Sequence, residues 1–67
     1  METKTYELIF NDGTKITSVE AENQEKAENY FVEYLYDIFQ EMNPKAEWSQ
    51  RDHIRNYIKN DYVIEVR

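Results

Sequence analysis

The residues with the clearest chemical pattern are three carboxylates spaced four residues apart. Glu33, Asp37 and Glu41 recur inside a segment of helical periodicity, so they would line one face of a helix. Like charges at this spacing repel by about 0.2–0.5 kcal/mol per pair, so the row does not help the helix to form. Carboxylates about 6 Å apart resemble the spacing of phosphates along a nucleic-acid strand. The row predicts either a solvated acidic face or a strip that occupies a basic, nucleic-acid-binding groove on another protein.

Tyrosines accompany this acidic row. Tyr30 and Tyr34 flank it, and Tyr36 lies farther round the same helix. Protein interfaces are enriched in tyrosine because its ring is apolar and its hydroxyl is polar. The candidate protein-binding residues are therefore Tyr30, Glu33, Tyr34, Tyr36, Asp37 and Glu41.

A second row carries the opposite charge. Arg51, Arg55 and Lys59 also recur every four residues, and Trp48 precedes them. Arginine binds phosphate and tryptophan stacks on bases, so this row is the alternative nucleic-acid-binding site. The net charge of −6 weakens the long-range attraction that such binding depends on, which makes direct nucleic-acid binding the less favoured function.

The two rows could in principle pair within the chain. An antiparallel helix pair would bring Glu41 near Arg51, Asp37 near Arg55 and Glu33 near Lys59. However, two antiparallel helices on one sheet face turn these charged flanks in the same direction. We therefore expect the rows to form separate exposed surfaces.

Residues for catalysis or metal binding are sparse. The only histidine, His53, follows Asp52 directly, and neighbours on a helix point about 100° apart, so they do not form an oriented pair. The single glycine belongs to a turn, which excludes a glycine-rich phosphate loop. Without cysteine there is no zinc–thiolate site. The sequence predicts a non-enzymatic protein with no cofactor and no metal.

The elements that position these residues begin with a hairpin. Thr5–Phe10 alternates apolar and polar residues as a half-buried strand does, and Asn11–Thr14 has the composition of a tight turn. The returning strand runs from Lys15 to about Ala21. A two-residue loop would place Ile9 opposite Ile16, whereas a three-residue loop with a glycine bulge would place Leu8 opposite Ile16.

A long amphipathic helix follows the hairpin. Asn23 is a suitable N-cap, and Asn43-Pro44 ends the helix after Met42 because the residue before proline avoids helical geometry. Its predicted core face recurs at spacings of three and four residues and comprises Ala27, Phe31, Tyr34, Leu35, Ile38 and Met42.

A short helix and a strand complete the chain. Ser49 with Asp52 resembles a capping arrangement, so the second helix is placed at about Ser49–Lys59, and Tyr62–Val66 has strand composition. The prediction is an α+β fold of order ββααβ, with both helices on one face of a three-stranded sheet. Connection rules slightly favour the last strand lying parallel beside the first, although antiparallel placement beside the second stays open.

The apolar arc of the long helix is wider than a sheet contact needs. Val32, Tyr36 and Phe39 are in excess, and three explanations compete: packing of the second helix, a homodimer interface, or a partner site. Trp48 has two interpretations. It either folds over the start of the second helix to complete the core, which we favour, or is an exposed anchor.

Length and composition set the outer limits. Sixty-seven residues form a single domain, 1–67, and without disulfides a core this small is often supplemented by self-association. The first residues lack a signal-segment pattern, and the longest apolar run is three residues, Leu8–Phe10. A cytoplasmic location without membrane contact is the default expectation.

These observations favour a non-enzymatic acidic module that binds a basic protein surface, such as that of a nucleic-acid-binding enzyme. The sharpest version is a small phage or mobile-element inhibitor that mimics nucleic acid, of the anti-CRISPR kind. The alternatives are a nucleic-acid-binding regulator that uses the basic row, and a homodimeric structural domain that uses Val32, Tyr36 and Phe39.

Overall fold

A computed structural model describes residues 2–67; Met1, which belongs to the predicted domain 1–67, lies outside the described residues. The elements in chain order are β1 (Lys4–Phe10), β2 (Lys15–Ala21), α1 (Gln24–Met42), a 3-10 turn (Glu47–Ser49), α2 (Arg51–Asn60) and β3 (Tyr62–Val66). The predicted α+β fold of order ββααβ is confirmed. Both helices cover one face of a three-stranded sheet.

The bounds of α1 follow from its sequence. The Asn23 side-chain oxygen accepts a hydrogen bond from the Lys26 backbone N–H at 2.9 Å, and the helix ends at Met42 before Asn43-Pro44, as predicted. Within it, Phe31 is fully buried. The predicted core face is wrong at its C-terminal end, where Ile38 is 39% exposed and Met42 is 66% exposed. At about 28 Å, α1 is longer than the seven-residue strands below it, which reach at most about 23 Å.

The hairpin has the longer of the two expected loops. The Phe10 N–H donates to the Thr14 carbonyl at 2.8 Å, so the loop is Asn11–Gly13, with Gly13 at a φ of 91°. The strand pairing then shifts between Leu8 and Ile9, placing Ile9 opposite Lys15 and Leu8 opposite Thr17. Neither expected partner of Ile16 is therefore correct, because this additional bulge leaves Ile16 without an opposite residue.

The last strand lies beside the first, but the favoured parallel direction is wrong. The strand order is β2-β1-β3, and β3 is antiparallel to β1, with Leu8 opposite Ile64. Because β1 is antiparallel to both of its neighbours, β2 and β3 run in the same direction, and the two helices form the crossover between them. The strand that is parallel to β3 is therefore β2, from which β1 separates it.

The second helix begins later than expected and by a different mechanism. Ser49 belongs to the 3-10 turn, and α2 starts at Arg51 after Gln50, which makes no side-chain capping bond. The Ser49 hydroxyl instead donates to the Ala46 carbonyl at 2.7 Å and accepts from the Gln40 amide at 3.2 Å. The predicted Ser49–Asp52 cap is therefore wrong, because Ser49 is fully buried and bonded to α1.

On the sheet face opposite the helices, a carboxylate is nearly buried. Glu7 of the central strand is only 6% exposed, and it contacts the Lys15 ammonium at 2.7 Å and Arg67 Nε at 3.0 Å. The hydrogen bond from Lys15 is the main cause that lowers the pKa of Glu7, and the charge of Arg67 adds to it against the opposing effect of partial burial. The ionised form of Glu7 is therefore favoured by folding.

Replacing this carboxylate should flatten the pH dependence of stability. Because the pKa of folded Glu7 lies below its ordinary value of 4.5, its contribution is present above that value and is lost as the pH falls through the folded pKa. We expect Glu7→Gln to lower the free energy of unfolding at neutral pH and to differ progressively less from the wild type in acid. Urea unfolding of both chains between about pH 7 and pH 3 measures this. A constant difference at every pH would contradict the assignment.

Candidate functional site

The apolar residues in excess on α1 are explained by α2. Val32 is 2% exposed and belongs to the core cluster with Ile54 and Ile58 of α2. The Arg51 guanidinium lies over the Tyr36 ring at 3.8 Å from its centroid, and Phe39 contacts Trp48 edge to face at 5.5 Å. Packing against α2 thus accounts for these three apolar residues of α1. Val32 cannot contact a partner or a second copy without unfolding.

The acidic and basic rows meet at Glu33 and Arg51, so the expectation of separate surfaces is wrong for these two residues. Arg51 donates to both carboxylate oxygens of Glu33, from Nε at 2.8 Å and from Nη2 at 3.1 Å. Arg55 donates to Glu28 at 3.2 Å and to the Asn29 side chain at 2.9 Å. The two helices are antiparallel, and α2 turns its arginine side toward α1 rather than away from it.

The register of this pairing differs from the simplest antiparallel arrangement by two helical turns. Arg51 lies level with Glu33 instead of Glu41. The segment between the helices fills the difference, because Trp48 and Ser49 pack beside the last turns of α1 through Phe39 and Gln40. Only after this segment does α2 begin, which leaves Asp37 and Glu41 beyond the reach of the arginines.

The Glu33–Arg51 ion pair joins α1 to α2 and neutralises one charge of each row. The hydrogen bond from Arg51 lowers the pKa of Glu33, and the same bond raises the pKa of Arg51. Both side chains are more than half exposed, so solvent screens the pair and it adds little to stability. The pair does affect binding, because Arg51 already contacts Glu33 and Tyr36 and therefore has few free hydrogen-bond donors for a phosphate.

The opposite side of α1 stays uncovered, and we call it the α1 flank: Tyr30, Tyr34, Asp37, Ile38 and Glu41. Asp37 and Glu41 are exposed, and neither carboxylate has an ion pair or a side-chain hydrogen bond among residues 2–67. Tyr30 is 48% exposed and Ile38 is 39% exposed, while Tyr34 packs partly against the core. The α1 flank therefore combines free negative charge with accessible apolar area.

The position of this charge is unfavourable for the helix. Glu41 lies in the last turn of α1, which contains no basic residue. The C-terminal end of a helix carries partial negative charge, so carboxylates there destabilise it. Helix stability therefore does not account for Glu41, and the like-charge spacing of four residues gives no stability reason for Asp37 either.

The remaining candidate residues are dispersed. Trp48 is 37% exposed, so the favoured core interpretation is wrong in part: the ring packs against Phe39, yet more than a third of the residue stays accessible. Lys59 is exposed at the far end of α2. His53 contacts the exposed Glu47 carboxylate at 3.2 Å, in a surface pair with no nucleophile. Within the described part of the chain, no group of acidic and histidine side chains is placed to hold a metal ion.

The sequence did not predict four residues that position the helices: Glu28, Asn29, Gln40 and Ser49. The first two bind Arg55, and the last two join the 3-10 turn to α1. The sequence does contain a pattern that indicates the pairing of Arg55. Asn29 and Glu33 have the same four-residue spacing as Arg55 and Arg51, so they match in an antiparallel helix pair if the length of the linking segment is taken into account.

Comparisons with known proteins identify no relative. No protein-family model, curated protein or solved structure matches this chain. Among residues 2–67, neither helix combines the length and the apolar character that crossing a membrane would require.

Proposed function

We propose that this chain is a non-enzymatic binding module whose α1 flank engages a basic surface on a protein that binds nucleic acid. In its sharpest form it is a phage or mobile-element inhibitor of the anti-CRISPR kind that acts in the cytoplasm. The observation that carries the proposal is the pair of unpartnered carboxylates, Asp37 and Glu41, beside exposed Tyr30 and Ile38 on an uncovered helix flank.

Three features support this assignment. Asp37 and Glu41 are one helical turn apart, about 6 Å, so they present two charges in line as a nucleic-acid backbone does. The neighbouring tyrosines supply rigid, partly apolar contact area. Glu41 lies in the last turn of α1, where its charge weakens the helix, so its position is better explained by binding than by stability. Glu33 and Tyr36 have a peripheral role, because both already contact Arg51.

The alternative function, a nucleic-acid-binding regulator, has weaker support. A phosphate would have to displace Glu33 from Arg51 and Glu28 from Arg55, and the net charge of −6 opposes its approach. Of the four residues predicted for nucleic-acid binding, this leaves Lys59 and Trp48 for such a ligand. A gel-shift titration at low salt gives the direct comparison, and we expect no shift with duplex or single-stranded probes.

Reversing the charge of the α1 flank should abolish partner binding. We expect Asp37→Lys combined with Glu41→Lys to remove capture of basic proteins from a lysate by the immobilised chain. The wild-type chain should release those proteins when duplex DNA or RNA is added. The double variant should remain folded, because lysine near a helix C-terminus is favourable and the repulsion between Glu33 and position 37 becomes an attraction. Circular dichroism verifies the fold.

The matched control has the same change in net charge. Glu2→Lys with Glu20→Lys reverses two exposed carboxylates away from α1, and Glu20 lies opposite Thr5 on the uncovered sheet face. This control should retain nucleic-acid-releasable capture. Equal loss in both double variants would show that net charge alone governs binding, and retention by the flank variant would refute the proposed site.

A further inference from the structure

The free edge of β3 is a second candidate binding surface. This strand pairs with β1 on one side only. The Arg67 N–H donates to the Thr5 carbonyl at 2.8 Å, so in this antiparallel ladder the backbone groups of residues 63, 65 and 67 point toward β1. Those of Tyr62, Ile64 and Val66 point away from the sheet. The edge therefore presents three residues with unpaired backbone donors and acceptors.

This edge has few of the features by which proteins usually protect an edge strand. The strand is short and carries one charged residue, Glu65, but it contains no proline and no lysine, and its apolar residues are aromatic or β-branched. Val63 is 53% exposed and Val66 is 55% exposed. On the helix side, Tyr62 and Ile64 border an open cavity of about 340 Å³, closed on other sides by Glu28, Ile58 and Lys59. The edge thus has both a hydrogen-bonding rim and an unfilled space beside it.

We propose that a second copy of the chain occupies this edge, with the two β3 strands antiparallel about a two-fold axis at Ile64. A two-fold axis perpendicular to the sheet keeps the helices of both copies on the same face. Ile64 then exchanges backbone hydrogen bonds with Ile64 of the second copy, and Tyr62 does so with the second copy's Val66. The result is one continuous six-stranded sheet.

Charge complementarity selects this register from its neighbours. With the axis at Ile64, Asp61 lies opposite Arg67 of the second copy at both ends of the interface, and the bond of Arg67 to Glu7 within its own chain uses Nε. With the axis at Val63, Asp61 would face Glu65, and with the axis at Glu65 the two copies of Glu65 would face each other. Directly opposed like charges destabilise a strand pair, whereas opposite charges stabilise it. The sequence of β3 is therefore self-complementary in one register.

The same register uses the space beside the strand. Residues opposite each other in an antiparallel pair share a sheet face, so the second copy's Ile64 and Val66 project to the helix side beside Ile64 and Tyr62. There they fill the open cavity next to Ile58. The interface is distinct from the α1 flank, because α1 packs on β2 and β1 whereas α2 packs on β3.

Single cysteines test this geometry, since the chain contains none of its own. In Ile64→Cys the cysteine meets itself across the axis at a Cα–Cα distance of about 5.5 Å, within disulfide range. In Val66→Cys the two cysteines are about four residues, or about 14 Å, apart. Under mild oxidation we expect Ile64→Cys to form covalent dimers at least about tenfold faster than Val66→Cys, although position 66 is the more exposed.

Two further variants keep the proposal testable if Ile64→Cys destabilises the fold. The Val66 N–H points away from β1, so Val66→Pro should leave the monomer folded and dissociate the dimer in sedimentation. Val66→Thr retains the N–H and should stay dimeric. A wild-type chain that sediments as a monomer up to about 1 mM overturns the proposal. A dimer that survives Val66→Pro, or faster cross-linking through position 66, overturns it as well.

Discussion

A Phe31→Ala chain is expected to be largely unfolded at room temperature. Phe31 is the largest fully buried side chain and belongs to the core cluster formed by both helices and the sheet. Truncating a buried phenylalanine costs about 3–5 kcal/mol through lost burial and the cavity left behind. A single core in a chain below about 70–80 residues rarely supplies more than ~3–5 kcal/mol in total. One substitution therefore removes most of the available stability.

Far-UV circular dichroism and urea unfolding measure this loss, with Met42→Ala as the control. Met42 lies on the same predicted apolar face of α1, yet it is 66% exposed. Its truncation should change the free energy of unfolding by only about 0.5 kcal/mol, as for other surface sites. If the two variants were equally stable, the assignment of Phe31 to the core and Met42 to the surface would be wrong.

This contrast between Phe31 and Met42 illustrates what the sequence can specify. Caps are local, so Asn23 and Asn43-Pro44 predicted both ends of α1. Periodicity then assigned one apolar face along the whole helix. How far that face is covered depends on where the strands end beneath it, which is a property of the tertiary arrangement. Ile38 and Met42 have the right spacing for the core but extend past the sheet.

Strand arrangement shows the same division. The Asp12-Gly13 turn and the alternation in β1 are local signals, and both predicted the hairpin correctly. The additional bulge between Leu8 and Ile9 and the direction of β3 are not encoded in any short segment. They depend on how the helices return the chain across the sheet. Register and direction were for this reason the parts that the sequence left open or predicted wrongly.

The sequence predicted the charged rows of the candidate site but not how they pair. Four-residue spacing identified both charged rows, because it follows directly from helix geometry. The segment between the helices determines which charged residues pair. It shifts α2 by two turns along α1, so that Arg51 pairs with Glu33. Asp37 and Glu41 gain their significance only from that shift, since they are the members that it leaves without partners. The β3 edge had no signal beyond its composition.

A Gly13→Val substitution should cause the second large loss of stability, and its cause should be backbone strain alone. Gly13 has a φ of 91°, which β-branched residues almost never adopt, and a Cβ added there would meet nothing within 4 Å. We expect a cost of about 1–3 kcal/mol, a large share of the stability available to a domain of this size.

The control for this strain is Gly13→Asn, because asparagine tolerates positive φ better than other non-glycine residues. It adds a side chain of similar size in the same open space, so a steric clash would affect both variants alike. Thermal unfolding should place Gly13→Asn close to the wild type and Gly13→Val well below it. Equal destabilisation by both would mean that the Asn11–Gly13 loop, and with it the pairing of Phe10 with Thr14, differs from the one described.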